Sequence, residues 1–80
     1  MKVMSKKTKL SLEEIMRKAK AAFEGRYGLT ITDVEEGCCI EFSSDIGFVT
    51  VKVVESNDEN EVTLATREWE FQIEKFLANL

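Results

Sequence analysis

The stretch Glu35-Glu36-Gly37-Cys38-Cys39-Ile40-Glu41-Phe42 gathers the side chains of this sequence best suited to covalent chemistry. It contains both cysteines of the 80-residue chain, adjacent to each other and flanked by carboxylates. A cysteine can serve as a nucleophile, a metal ligand or half of a disulfide. Each role makes demands that the neighbours can be checked against. On a strand, adjacent side chains point to opposite faces. A disulfide between neighbours would then need a strained ring that interrupts the strand. A zinc site needs further ligands at wider spacing, and the chain has no histidine and no third cysteine. A nucleophilic thiolate needs a nearby base or cation, whereas Glu35, Glu36 and Glu41 oppose ionisation. The expectation is two reduced thiols on a strand, with Cys38 in the core and Cys39 on the opposite face. A reactive or regulatory Cys39 is the alternative.

The other candidate chemistry is weaker. Asp33, Glu35 and Glu36 lie at one predicted turn, and Asp58, Glu59 and Glu61 at another. Paired carboxylates act as acid and base only across a cleft, so these read as solvated turns. Asn57-Asp58-Glu59-Asn60-Glu61 lacks the glycine and the distal glutamate of a calcium loop. Gly25 and Gly28 precede a strand rather than a helix, so they form no phosphate cradle. The sequence predicts no catalytic residue, no metal site and no cofactor.

Composition narrows the function classes further. Without histidine the chain lacks the commonest general base and metal ligand. No run of about 20 apolar residues exists to span a membrane. The basic N-terminus lacks the apolar stretch of a secretory signal, so a cytoplasmic location is expected. Charge is uneven along the chain. Residues 1–26 carry eight basic and three acidic side chains, a net of +5, and residues 27–80 carry three and twelve, a net of −9. Such polarity can steer partners or favour head-to-tail association.

The positioning elements follow from periodicity. Residues 1–9 show no pattern and are read as a flexible basic tail, followed by a single domain over 10–80. Ser11-Leu12-Glu13-Glu14 fits a capping box. Leu12, Ile15, Met16, Ala19, Ala22 and Phe23 then form one helical stripe, predicting a helix over 11–25. Beyond residue 28 the period changes to two. Residues 29–34, 38–43, 48–54 and 61–66 read as four half-buried strands joined by short turns. Trp69, Ile73, Phe76, Leu77 and Leu80 return to helical spacing, predicting a second helix over 67–79 capped by Thr66, with Phe71 off its stripe near the sheet edge. Phe23, Phe42, Trp69 and Phe76 are assigned to the core.

The predicted fold is α+β. It is a two-layer sandwich of order α-β-β-β-β-α, with a four-stranded antiparallel meander and both helices on one face. The opposite face then presents Thr30, Thr32, Val34, Cys39, Glu41, Phe48, Thr50, Lys52, Val54, Thr63 and Ala65. It is richer in Thr, Val and Phe than a fully solvated face. A nucleic-acid role is not expected, because only Phe48 could stack on bases. The sequence points to a small non-enzymatic interaction or assembly module, a homo-oligomer or a partner-binding domain. Its expected contact residues are Thr32, Cys39, Phe48, Thr50 and Val54, on the sheet face or edge. Two alternatives stand beside it. One is a small-ligand domain or minor enzyme with a pocket between sheet and helices. The other is an acidic inhibitor or adaptor for a basic partner.

Overall fold

The strand alternation is the strongest pattern in the chain, and the computed structural model, which describes residues 1–80, follows it closely. Four strands follow the first helix: β2 (Thr30–Glu35), β3 (Cys39–Ser43), β4 (Phe48–Ser56) and β5 (Glu59–Arg67). A fifth strand, β1 (Lys2–Thr8), precedes that helix, α1 (Leu12–Ala19). A second helix, α2 (Glu70–Ala78), ends the chain. The sheet is antiparallel with order β1-β5-β4-β3-β2, so β4 is its central strand. Ile40, Phe42, Val49, Val51, Val53, Val62 and Leu64 share one core with Ile15, Ala19 and Phe23 of the first helix and Ile73, Phe76 and Leu77 of the second. The fold is therefore α+β, with both helices on one face of the sheet.

The expected basic tail is instead an edge strand. Residues 2–8 pair in register with β5, from Lys2 opposite Thr66 to Thr8 opposite Asn60. The sheet has five strands, not the four of the predicted meander. The alternation in this segment is hidden because lysines occupy inward positions. Lys2, Met4, Lys6 and Thr8 lie toward the helices, and Val3, Ser5 and Lys7 away from them. Lysine tolerates this because its stem packs while its ammonium reaches a polar partner. Lys2 Nζ meets Glu74 at 3.0 Å, and Lys6 Nζ donates to the Leu77 carbonyl at 3.0 Å.

The first helix starts as predicted, with the Glu14 amide donating to Ser11 Oγ at 3.2 Å. The Glu14 carboxylate does not reach back to close the capping box. It accepts instead from Arg17 at 2.7 Å, and this neighbouring guanidinium holds the Glu14 carboxyl below its ordinary value. From Lys20 to Arg26 the helix widens into a π-helical segment, marked by the Tyr27 amide donating to Ala22 five residues back. Ile15 and Ala19 of the α-helical part and Phe23 of the widened part, four residues apart, are all fully buried.

Two further details differ from the expected pattern. Thr66 does not cap α2. It is a fully buried residue of β5 whose hydroxyl donates to the Phe48 carbonyl, and α2 begins only at Glu70. The intervening Glu68 has a positive φ of 76°, which turns the chain off the sheet. Phe71 is 70% exposed and does not reach the sheet edge.

Candidate functional site

The helices cover one face of the sheet and leave the other bare. On β4 the uncovered side chains are Phe48, Thr50, Lys52 and Val54, since Val49, Val51 and Val53 point into the core. The ladder places the remaining uncovered residues in rows. Thr50 lies between Glu41 of β3 and Ala65 of β5, and Lys52 lies between Cys39 and Thr63. Phe48 lies between Ser43 and Arg67 at one end, and Val54 lies beside Glu61 at the other. Strand β1 adds Val3, Ser5 and Lys7 to the same face.

A β-bulge shapes the far edge. The register shifts between Ile31 and Asp33, so that Thr32 and Asp33 together oppose Glu41. The Thr32 hydroxyl lies 2.9 Å from Glu41 Oε1 and 3.2 Å from Ser43 Oγ, on the bare face. The extra residue moves Val34 to the other side. Val34 pairs with Ile40, a core residue, and is placed toward the helices rather than on the bare face as expected from strict alternation. There it borders a cleft of about 420 Å³ with Leu12 and Met16 of α1.

The structure thus sets Thr32, Cys39, Phe48, Thr50 and Val54 on one face, spread across three strands rather than gathered at one point. A shallow depression of about 250 Å³ lies between Cys39, Glu41, Thr50 and Lys52 near the acidic side chains of β2. Alternation of a continuous sequence identified the β4 residues. It missed Val3, Ser5 and Lys7, because only the pairing of β1 with β5 brings them to this face.

The cysteine pair departs from the expectation. Cys38 does not lie on a strand. It ends the turn after Gly37, whose φ is +83°, and its amide donates to the Glu35 carbonyl. Strand alternation therefore does not separate the two side chains. Cys38 is half-buried rather than a core residue, and the two sulfurs lie against each other rather than on opposite faces. The Glu35 carboxylate completes a group of three potential ligands within 4.8 Å. The adjacent carboxylate opposes thiolate formation, and two adjacent sulfurs with one carboxylate do not complete a four-ligand metal site.

Charge is also arranged by the topology. The strand order puts Lys2, Lys6 and Lys7 at one edge of the sheet and Asp33 and Glu35 at the opposite edge, with Glu36 in the adjoining turn. The unevenness along the sequence becomes a dipole across the sheet. No helix is long and apolar enough to cross a membrane. No known protein family matches the chain, and no curated protein matches it in sequence.

Proposed function

We propose that this protein is a small assembly module that self-associates back to back through the bare face of its sheet. The observation that supports this reading most is the central strand. Phe48, Thr50 and Val54 run along the central strand of an uncovered face. Both edges are poorly suited to strand addition. Strand β1 carries lysines, and β2 carries a bulge and carboxylates, features that discourage edge pairing.

The charge dipole selects one orientation of the second copy. A two-fold axis along β4 lays β1 of each copy over β2 of the other, so Lys7, the one β1 lysine on the bare face, meets the acidic edge. A two-fold axis across the strands would lay β2 on β2, with Asp33 near its own counterpart, and is disfavoured by repulsion. The chosen arrangement stacks Phe48, Thr50 and Val54 near their own counterparts, within the roughly 30° offset of aligned sheet packing. It brings Lys7 of one copy near Glu35 of the other.

Area sets the expected strength. Five strands about 4.8 Å apart span about 19 Å, and a nine-residue strand spans about 30 Å. The face is therefore roughly 570 Å² per copy, about 1,100 Å² for the pair, which is small for a stable interface. A weak, concentration-dependent dimer is expected. Size-exclusion chromatography with light scattering across a wide concentration range tests this. Thr50→Glu opposes two carboxylates at the axis and should leave a folded monomer. A wild-type chain that stays monomeric at the highest accessible concentration sinks the reading.

A further inference from the structure

A cleft of about 420 Å³ lies in the helical layer, where the π-helical segment meets the end of α2. Its floor is apolar and aromatic, formed by Ala22, Tyr27 and Phe76. Tyr27 packs against Phe23 and Trp69, with ring centroids 6.1 and 6.2 Å away, so the floor is anchored to the core. The charged residues lining the cleft are Lys18, Arg26 and Lys75, with no carboxylate side chain among them. This is notable in a chain with 15 acidic residues and only 11 basic ones. The two ion pairs of the structure, Lys2 with Glu74 and Arg17 with Glu14, use none of the three. Cations late in a helix also complement its dipole. That accounts for the place of Arg26 and Lys75 along their helices. It does not account for three cations around one aromatic floor.

The π-helical segment is what builds this geometry. Widening the helix brings Ala22 and Tyr27, five residues apart, into one hydrogen-bonded turn, with Arg26 beside them. A regular α-helix would close that turn at Arg26 instead. The volume lies within the range of small-molecule sites, which combine an apolar lining with a few convergent polar groups.

We infer that this cleft binds a small amphipathic organic anion, a carboxylate, sulfonate or phosphate ester carried on an aromatic or short apolar body. The apolar body packs on Tyr27 and Phe76, and the anionic group sits among Lys18, Arg26 and Lys75. The site lies on the helical layer, away from the bare sheet face, and does not depend on the assembly proposed above.

The test uses the intact chain and 1-anilinonaphthalene-8-sulfonate, an aromatic anion whose fluorescence rises on burial. Saturable binding is expected, with amide shifts in nitrogen-edited NMR spectra centred on Ala21, Ala22, Tyr27, Phe76 and Asn79. Lys18→Gln, Arg26→Gln and Lys75→Gln should each weaken binding about two- to fivefold, and the triple variant by about tenfold or more. Circular dichroism checks that these substitutions leave the fold intact. Arg67→Gln, on the uncovered face of the sheet, should bind the dye as the wild type does. The neutral analogue N-phenyl-1-naphthylamine should bind much more weakly, as should inorganic phosphate, which lacks the apolar body. Absence of saturable binding, shifts centred elsewhere, equal affinity for the neutral analogue, equal affinity for phosphate, or full affinity in the folded triple variant would each overturn the inference.

Discussion

Lys6 Nζ donates to the carbonyl oxygen of Leu77 across 3.0 Å, tying the first strand of the chain to the last turn of its last helix. The ammonium meets the negative end of α2, where a cation is favoured. Lys2 makes a second tie to α2 through Glu74, and the Asn60 side-chain amide donates to the Leu10 carbonyl at the other end of β1. The N-terminal segment is thus held from both sides.

The amides of β1 that pair with β5 should therefore show strong hydrogen-exchange protection, close to that of β4. A flexible tail would exchange within the dead time. Deleting residues 1–9 removes a seven-residue strand and bares the β5 edge. The expected cost is about 3 kcal/mol or more, with a tendency to aggregate. Lys6→Met keeps the stem and loses the charged hydrogen bond. It should cost about 1 kcal/mol in urea unfolding.

Gly47 is irreplaceable for a reason of contact. A Cβ at this position would fall on the backbone carbonyl of Arg67. Gly47→Ala should lose about 2–3 kcal/mol by forcing the backbone apart, read as a lowered urea midpoint at unchanged slope.

The β4–β5 hairpin turns through Asn57 and Asp58, both at positive φ, 52° and 66°. Asparagine tolerates this conformation and glycine prefers it. Asp58→Gly should stabilise the protein by about 0.5–1 kcal/mol, raising Tm by roughly 2–8 °C.

The start of α1 carries a pH dependence. Arg17 lowers the carboxyl of Glu14 below its ordinary value of 4.5. A depressed value in the folded state means that the contribution is present above 4.5 and is lost as pH falls through the lowered value. Acid titration of wild type against Arg17→Gln should show a steeper loss of stability below that point in the wild type. Ser11→Ala removes the cap itself and should cost about 1 kcal/mol at neutral pH.

The assembly proposal makes two predictions of opposite sign. Lys52 sits on the central strand of the bare face, so a two-fold axis along β4 brings it near its own counterpart. Lys52→Thr should strengthen dimerisation by about threefold to tenfold in sedimentation equilibrium. Lys7→Glu and Glu35→Lys should each weaken it, and the two together should restore it. Failure of that rescue rejects the orientation while leaving open a dimer of another geometry.

Periodicity by itself determined most of the architecture. The alternation around Ile40, Phe42, Val49, Val51, Val53, Val62 and Leu64 identified the core face of the sheet, because a pleat has period two and one face must leave water. The Ser11 cap and the stripe through Ile15, Ala19 and Phe23 located the first helix for similar local reasons. Tertiary structure decided what pattern alone does not encode. Strand β1 looked unpatterned because lysines can fill inward positions when a helix end lies beyond them. The bulge at Thr32 and Asp33 reversed Val34, since one extra residue flips every side chain after it. Cys38 left the strand because Gly37 turned the chain one residue later than the alternation implied. The cleft lined by Lys18, Arg26 and Lys75 exists only where two helices distant in sequence pack side by side. The pairing of β1 and the cleft depend on contacts far apart along the chain, while the bulge and the Gly37 turn depend on local backbone geometry that a hydrophobic pattern does not record.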